Sequence, residues 1–314
     1  RVLIVGAGIA GPTLAYWLQR FGHEVTLVEH APHLREGGYV VDFWGAGFDV
    51  ADRMGIVPRL MDEGYVVREA REVSSAGRRI AHFDPRHVIG ISGGRFVTIG
   101  RSDLSRAAYD AADGNVEVVF GDTVTALHED RDRVHVEFEH AAPREFDLVV
   151  GADGLHSRVR KLAFGPDEEF ERYLGITVAA FDVVGYRPRD ELVAVMHTEV
   201  GDQVLRLALH DDATMFCFMF RYDGEVPVDD GVAQQELLRR RMCDVGWEVP
   251  TILEQMPQAR TFYLDRASQI RMPSWSSGRI ALIGDAAAAP SLLAGQGSAL
   301  AMIEAYILAC ELHE

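Results

Sequence analysis

The chain has 314 residues, enough for about two domains of ordinary size, and its 48% hydrophobic and 25% charged residues exclude a disordered chain or a mini-protein. With 31 basic against 48 acidic side chains the formal charge is −17, a field that repels nucleic-acid phosphates and anionic lipid. Cys217, Cys243 and Cys310 lie far apart with no C-x-x-C pair, which argues against a disulfide framework or a zinc site and fits a reducing, cytoplasmic compartment.

Val2-Leu3-Ile4-Val5 is an all-apolar run of the kind a strand buried on both faces needs, and Gly6, Gly8 and Gly11 follow it as G-x-G-x-x-G. Leu14, Leu18 and Phe21 keep helical spacing until Gly22, and Val25–Val28 reads as a second strand ending in Glu29, eighteen positions after Gly11. This context predicts a dinucleotide fingerprint. Gly6 makes the tight turn, Gly8 admits a pyrophosphate to the backbone, and Gly11 lets helix and strand pack closely, while the helix N-terminus faces the phosphates. Glu29 is placed to accept hydrogen bonds from ribose hydroxyls.

Further along, Gly37-Gly38-Tyr39-Val-Val-Asp42 offers backbone freedom after the second strand. Gly90-Ile-Ser92-Gly93-Gly94 imitates a serine-nucleophile elbow, yet a strand over 95–99 follows it where that motif needs a helix. His135, Glu137 and Glu139 alternate with Val134, Val136 and Phe138 and read as the wet face of a strand, so no metal site is expected. Asp147–Arg160 reads as a buried strand, a glycine turn and a polar helix start. Residues 192–197, 203–209 and 214–220 alternate as antiparallel strands, and Arg239–Arg241 as a solvated helix face. Gly278–Asp285 is another strand leading to Gly-Asp, followed by Gly295-Gln296-Gly297 and an apolar helix. The uncharged run 286–303 has the length of a bilayer span, but Pro290, Gly295, Gln296 and Gly297 break it, so no membrane segment is expected. The chain opens directly on a strand, without Met or a signal peptide, and the apolar periodicity through Ile307 and Cys310 runs out at Glu314, so a longer natural chain is expected.

Taken in order, these motifs resemble the group A flavoprotein aromatic monooxygenases, relatives of p-hydroxybenzoate hydroxylase, over nearly the whole chain. The resemblance implies an α/β fold: a Rossmann-like FAD-binding domain of the glutathione-reductase type with an inserted substrate domain on an antiparallel sheet. It implies residues 1–45, 96–165 and 270–314 for the first domain and 46–95 and 166–269 for the second. It also implies cofactor contacts from Gly6, Gly8, Ala10, Gly11, Glu29 and His30 to the adenosine and pyrophosphate, and from Arg101 to the FAD linker. Val124 corresponds to backbone contacts with adenine, and Asp153, Gly154, Ser157 and Arg160 to the family's D-G motif. Gly284 and Asp285 match its G-D motif, Gly295, Gln296, Gly297 and Ser298 the turn at the flavin pyrimidine edge, and Gly38 the segment beside the mobile isoalloxazine.

Pro290, Leu292 and Gly295 are expected beside the isoalloxazine, and Met215, Phe216, Phe218 and Phe220 as an apolar substrate wall at the domain junction. Many relatives carry His or Tyr where this chain has Ala287 and Ala288, and Pro where it has Leu292. The activity implied is an NAD(P)H- and dioxygen-dependent monooxygenase with non-covalent FAD. It would oxygenate an aromatic or polyketide molecule through a flavin C4a-hydroperoxide, with no protein acid or base and as a monomer or homodimer. Residues 246–257 and 269–275 look most like actinobacterial hydroxylases and the tetracycline-inactivating branch. Two alternatives are a flavin-dependent halogenase, whose W-x-W-x-I-P signature Trp17, Trp44, Trp247 and Trp275 do not form, and a protein that sequesters ligand without turnover.

Overall fold

The computed structural model describes residues 1–314 other than 36, 91, 92, 113, 115 and 229, so Ser92 of the elbow look-alike lies outside the described residues. Among the described residues the strands form four sheets. In the six-stranded sheet, Val2–Val5 lies between Leu148–Gly151 and Val25–Glu29. Ile280–Leu282 and Ser276–Ser277 continue one side and Glu117–Phe120 the other. All pairings are parallel except that of Ser276–Ser277.

The central strand is buried on both faces because alternate residues enter different cores. Val2 and Ile4 pack beneath the helices Ala10–Arg20, Arg101–Ala111 and Gly297–His313. Leu3 and Val5 face a three-stranded antiparallel layer, Val124–Glu129, Val134–Phe138 and Arg144–Phe146, together with the helix Arg158–Ala163. His135 sits on the exposed side of that layer, pairing with Asp130 and Glu145.

The seven-stranded sheet runs Thr261–Ile270, Glu171–Val184, Ala213–Arg221, Asp202–Ala208, Val193–Glu199, Glu69–Val73 and Arg79–Phe83. The three expected strands form its centre. Along Ala213–Arg221 the period of two sorts the side chains sharply. Phe216, Phe218 and Phe220 join Phe181 beneath the helices Gly231–Met242 and Val249–Gln255. Met215 and Cys217 point the other way, packing with Val178, Ala180, Leu207 and Ala267, and Met219, Tyr39 and Leu292 close on the same cluster. The expected substrate wall therefore needs correction. Three of its four residues, Phe216, Phe218 and Phe220, are interior core on the far face, and only Met215 shares the face that meets Leu292.

The helices Ala46–Arg53 and Val57–Glu63 pack into the core beneath the six-stranded sheet, through Phe48, Val50, Ala51 and Leu60. The strand Val40–Trp44 pairs with Phe96–Gly100, so the strand expected over 95–99 is present one residue further along. No helix among the described residues is long and apolar enough to cross a membrane.

Candidate functional site

The turn after Val2–Val5 shows why the three glycines are needed. Gly6 has φ +108°, and a Cβ there would lie 2.5 Å from the Ala152 carbonyl oxygen. A Cβ on Gly11 would lie 1.9 Å from the carbonyl oxygen of Gly6. A Cβ on Gly8 would meet nothing within 4 Å, so that backbone faces open space. The helix Ala10–Arg20 follows with no side-chain cap and no acid in its first turn, leaving its leading N–H groups for an external anion. Glu29 braces the turn: its Oε2 accepts from the Ala7 N–H at 2.7 Å and its Oε1 from the Ala31 N–H at 2.9 Å. His30 beside it is exposed.

Two further turns meet at this end of the sheet. Asp153 accepts from Ser157 Oγ at 2.5 Å and from the Arg158 and Val159 N–H groups, which caps the helix Arg158–Ala163. Even so, burial pushes its carboxyl above the ordinary range. The Gly154 backbone faces open space with φ +79°. Arg160 and Ser157 are both 0% exposed. The Arg160 guanidinium donates to the carbonyls of Ala286 and Leu155 and to Asp167. These two residues, and the fully buried Val124, present no surface to a cleft. The expectation of direct cofactor contact at Ser157, Arg160 and Val124 is therefore corrected: Ser157 and Arg160 hold loops in place, and Val124 belongs to the core.

Gly284, at φ +62°, donates its N–H to Glu304 Oε2 at 2.6 Å. Burial lifts the Glu304 carboxyl to about 7, and Asp285 adds to the shift. Asp285, Arg101, Tyr39 and Tyr263 then converge from four separate segments and influence one another electrostatically. Arg101 is positioned through its own N–H, which donates to the Tyr39 carbonyl, and the rings of Tyr39 and Tyr263 lie 5.3 Å apart. Among the described residues none of the four side chains makes a hydrogen bond. Burial raises both phenols and the Asp285 carboxyl, and the Arg101 charge opposes each shift. Nearby, His156 holds Asp265 at 2.9 Å across the gap between the Asp-Gly loop and the seven-stranded sheet. That contact raises the His156 pKa.

The loop before the last helix completes the cleft. Ser291 is buried with φ +94°, a strained conformation for a residue with a side chain, and it directly precedes Leu292. Pro290 accepts from Gln269 Nε2, and Leu292 packs toward the cluster that contains Met215 and Cys217. Ala287 is core, while Gly295 is exposed in a left-handed conformation and opens onto space. The helix Gly297–His313 follows Gln296 with no side-chain cap, so its first N–H groups, including those of Gly297 and Ser298, also await a partner. Sequence reading did not single out Tyr263, Asp265, His156 or Glu304. Tyr263, Asp265 and Glu304 occupy ordinary strand or helix positions and His156 an ordinary turn, and only the fold brings them together.

The donor set fits FAD. Two uncapped helix starts, an acid at the end of the second strand, open glycine backbones, and a cation and carboxylate that make no side-chain hydrogen bond among the described residues gather beyond the same ends of the parallel strands. The family model described as "FAD binding domain" matches residues 1–314. The chain is 39% identical over 99% of its length, and 84% of the relative's, to an uncharacterized protein of Mycobacterium tuberculosis. It is 33% identical to a flavin-dependent monooxygenase of Legionella longbeachae, over 99% of this chain and 80% of that protein. The crystal structure of tetracycline destructase Tet(51) superposes with a TM-score of 0.88 at 34% identity, covering 99% of this chain and 81% of that one. The sequence motifs, the cradle and these likenesses agree, and the chain belongs to the group A FAD-dependent monooxygenases.

Proposed function

We propose that this monooxygenase holds FAD non-covalently, takes reducing equivalents from NAD(P)H, and places one oxygen atom of dioxygen on an aromatic or polyketide small molecule. The observation that carries the reading is the convergence of Arg101, Asp285, Tyr39 and Tyr263, whose side chains make no hydrogen bond among the described residues, near two uncapped helix starts. Gly8, Ala10 and the first turn of their helix would take the pyrophosphate, with Gly6 and Gly11 shaping the approach. Glu29, beside His30, would take the adenosine ribose. Asp285 of the Gly284 turn and Arg101 would take the linker, with Asp153 and Gly154 alongside. Gly295 to Ser298 would meet the pyrimidine edge of the isoalloxazine, with Gly38, Pro290 and Leu292 beside it.

Bound FAD supplies the redox and oxygen chemistry. The chain's own work is to bind, to orient and to exclude water. Uncapped N–H groups at Gly297 and Ser298 would stabilise negative charge on the ring system, and the apolar face formed by Leu205, Met219 and Leu292 would keep the reacting region dry.

We propose the domain division expected from the sequence with one boundary moved. Because the helices over 46–63 pack with the cofactor half, that half takes residues 1–63, 96–165 and 270–314. Tetracyclines are the first substrates to test, since Tet(51) is named a tetracycline destructase and the likeness spans the whole chain. The test is an absorbance spectrum of purified protein, then NADPH oxidation with and without tetracyclines, phenols and polycyclic polyketides. Flavin bands with ligand-stimulated oxidation and an oxygenated product support the reading. A colourless protein that cannot be reconstituted with FAD, or NADPH oxidation that never yields an oxygenated product, overturns it.

A further inference from the structure

Alternation along Ala213–Arg221 puts three sulfur atoms, those of Met215, Cys217 and Met219, on the sheet face that meets the cleft. They differ in access: Met215 is 1% and Cys217 9% exposed, whereas Met219 is half-buried. Met219 stands opposite Val178 on one neighbouring strand and Gln203 on the other, and it packs against the same cluster as Tyr39 and Leu292. Burial pushes the Cys217 thiol up to about 12, so it stays protonated and a poor nucleophile. A thioether carries no such requirement, and its sulfur lone pair is available at any pH.

We propose that Met219 is an oxidation site, converted to the sulfoxide by hydrogen peroxide released into the cleft when the enzyme turns over without substrate. This rests on the dioxygen-using reading above. The sulfur lone pair forms an S–O bond to one peroxide oxygen and the O–O bond breaks. The departing hydroxide takes up the remaining hydroxyl proton and leaves as water. Sulfur is oxidised by two electrons and peroxide is reduced by two. The product sets a polar oxygen among Val178, Leu205 and Leu292, weakening the hold on an apolar substrate while leaving the cofactor's own contacts in place. Idle turnover thereby erodes the enzyme's later hold on substrate.

Met61, 41% exposed in the helix Val57–Glu63, provides the internal control. FAD-loaded protein is cycled with NADPH in air, without substrate and with catalase present to remove escaped peroxide, and its peptides are weighed. The expected result is the mass gain of one oxygen atom on the Met219 peptide, several-fold ahead of the Met61 peptide. Peroxide added from outside to resting protein should reverse that order. Met219→Leu should prolong activity, relative to its own starting rate, over repeated idle cycles. NADPH consumption with peroxide release but Met61 oxidised first, or no oxidation at Met219, overturns the inference alone. Absence of any NADPH consumption overturns the functional reading, and this inference falls with it.

Discussion

Gly8 and Gly11 lie three residues apart in one turn, yet their replacement by alanine should break different things. A Cβ on Gly11 would sit 1.9 Å from the Gly6 carbonyl oxygen, more than an ångström inside the closest approach that packed atoms tolerate. The obstacle is backbone, so relief requires moving the helix Ala10–Arg20 off the central strand. Overpacking of this kind costs about 1–3 kcal/mol, and here the upper end applies, against a total stability of roughly 5–15 kcal/mol. A Cβ on Gly8 meets nothing within 4 Å, and that residue has no left-handed backbone to strain. Gly8→Ala should therefore leave the flavin-free protein as stable as before, or stabilise it by about 0.4–1 kcal/mol through the unfolded chain. Its new methyl group would occupy the approach to the pyrophosphate. Each about 1.4 kcal/mol lost there is tenfold in Kd. The assay pairs urea unfolding of flavin-free protein with fluorescence titration by FAD. Gly11→Ala should fail in both, and Gly8→Ala only in the second. A Gly8→Ala protein with undiminished FAD affinity would refute the placement of the pyrophosphate.

Arg101→Ala removes a guanidinium with no hydrogen-bond partner among the described residues but with an attraction to Asp285, so flavin-free protein should lose at most about 1 kcal/mol in thermal unfolding while FAD affinity falls by about 1.5–3 kcal/mol, read by titration. Glu304 holds its proton up to about pH 7 when folded, whereas an exposed glutamate releases it near 4.5. Its neutral form is the one the fold favours, so its contribution is full below pH 4.5 and fades as pH rises through 7, by up to roughly 3 kcal/mol. Glu304→Gln keeps an acceptor for the Gly284 N–H and should flatten that part of the stability profile in urea unfolding from pH 5 to 8. Phe218→Ala should destabilise by about 3–5 kcal/mol from a fully buried site, with KM of the folded fraction unaltered; a KM change without loss of stability would restore Phe218 to the substrate wall.

The glycine turn was legible in the sequence because it works through backbone. Residues without a Cβ, at fixed intervals after a buried strand, leave a pattern that survives in one dimension, and Gly6, Gly8, Gly11 and Glu29 stand where that pattern put them. The proposed substrate side would work through side chains on a half-buried sheet, where moving by one residue changes the face. The composition of Met215–Phe220 announced an apolar wall without saying which residues form it, and the aromatic members belong to the helix-covered core. The fourteen-residue strand Glu171–Val184 also escaped notice, since Gly175 interrupts its alternation at a register shift. Tyr263 and Asp265 were invisible for another reason. They meet Tyr39 and His156 only after strands far apart in the chain are brought together.

Arg160 shows how a motif can be found in the sequence and its mechanics missed. The Asp-Gly and Gly-Asp segments are separated by about half the chain, and each looks like an independent contact with the cofactor. The structure joins them: one guanidinium, fully buried, bonds carbonyl oxygens at Leu155 and Ala286 and the carboxylate of Asp167. Removing one partner of such a buried pair costs about 3–5 kcal/mol, because the charge left behind is uncompensated. The arginine therefore fixes the distance between two turns with a stiffness that neither turn possesses alone. Asp285, which follows the braced Gly284, inherits that rigidity from both sides, through Arg160 on the Ala286 carbonyl and Glu304 on the Gly284 N–H. Among the described residues no hydrogen bond holds the Asp285 carboxylate, so its position rests on that support and on the charge of Arg101.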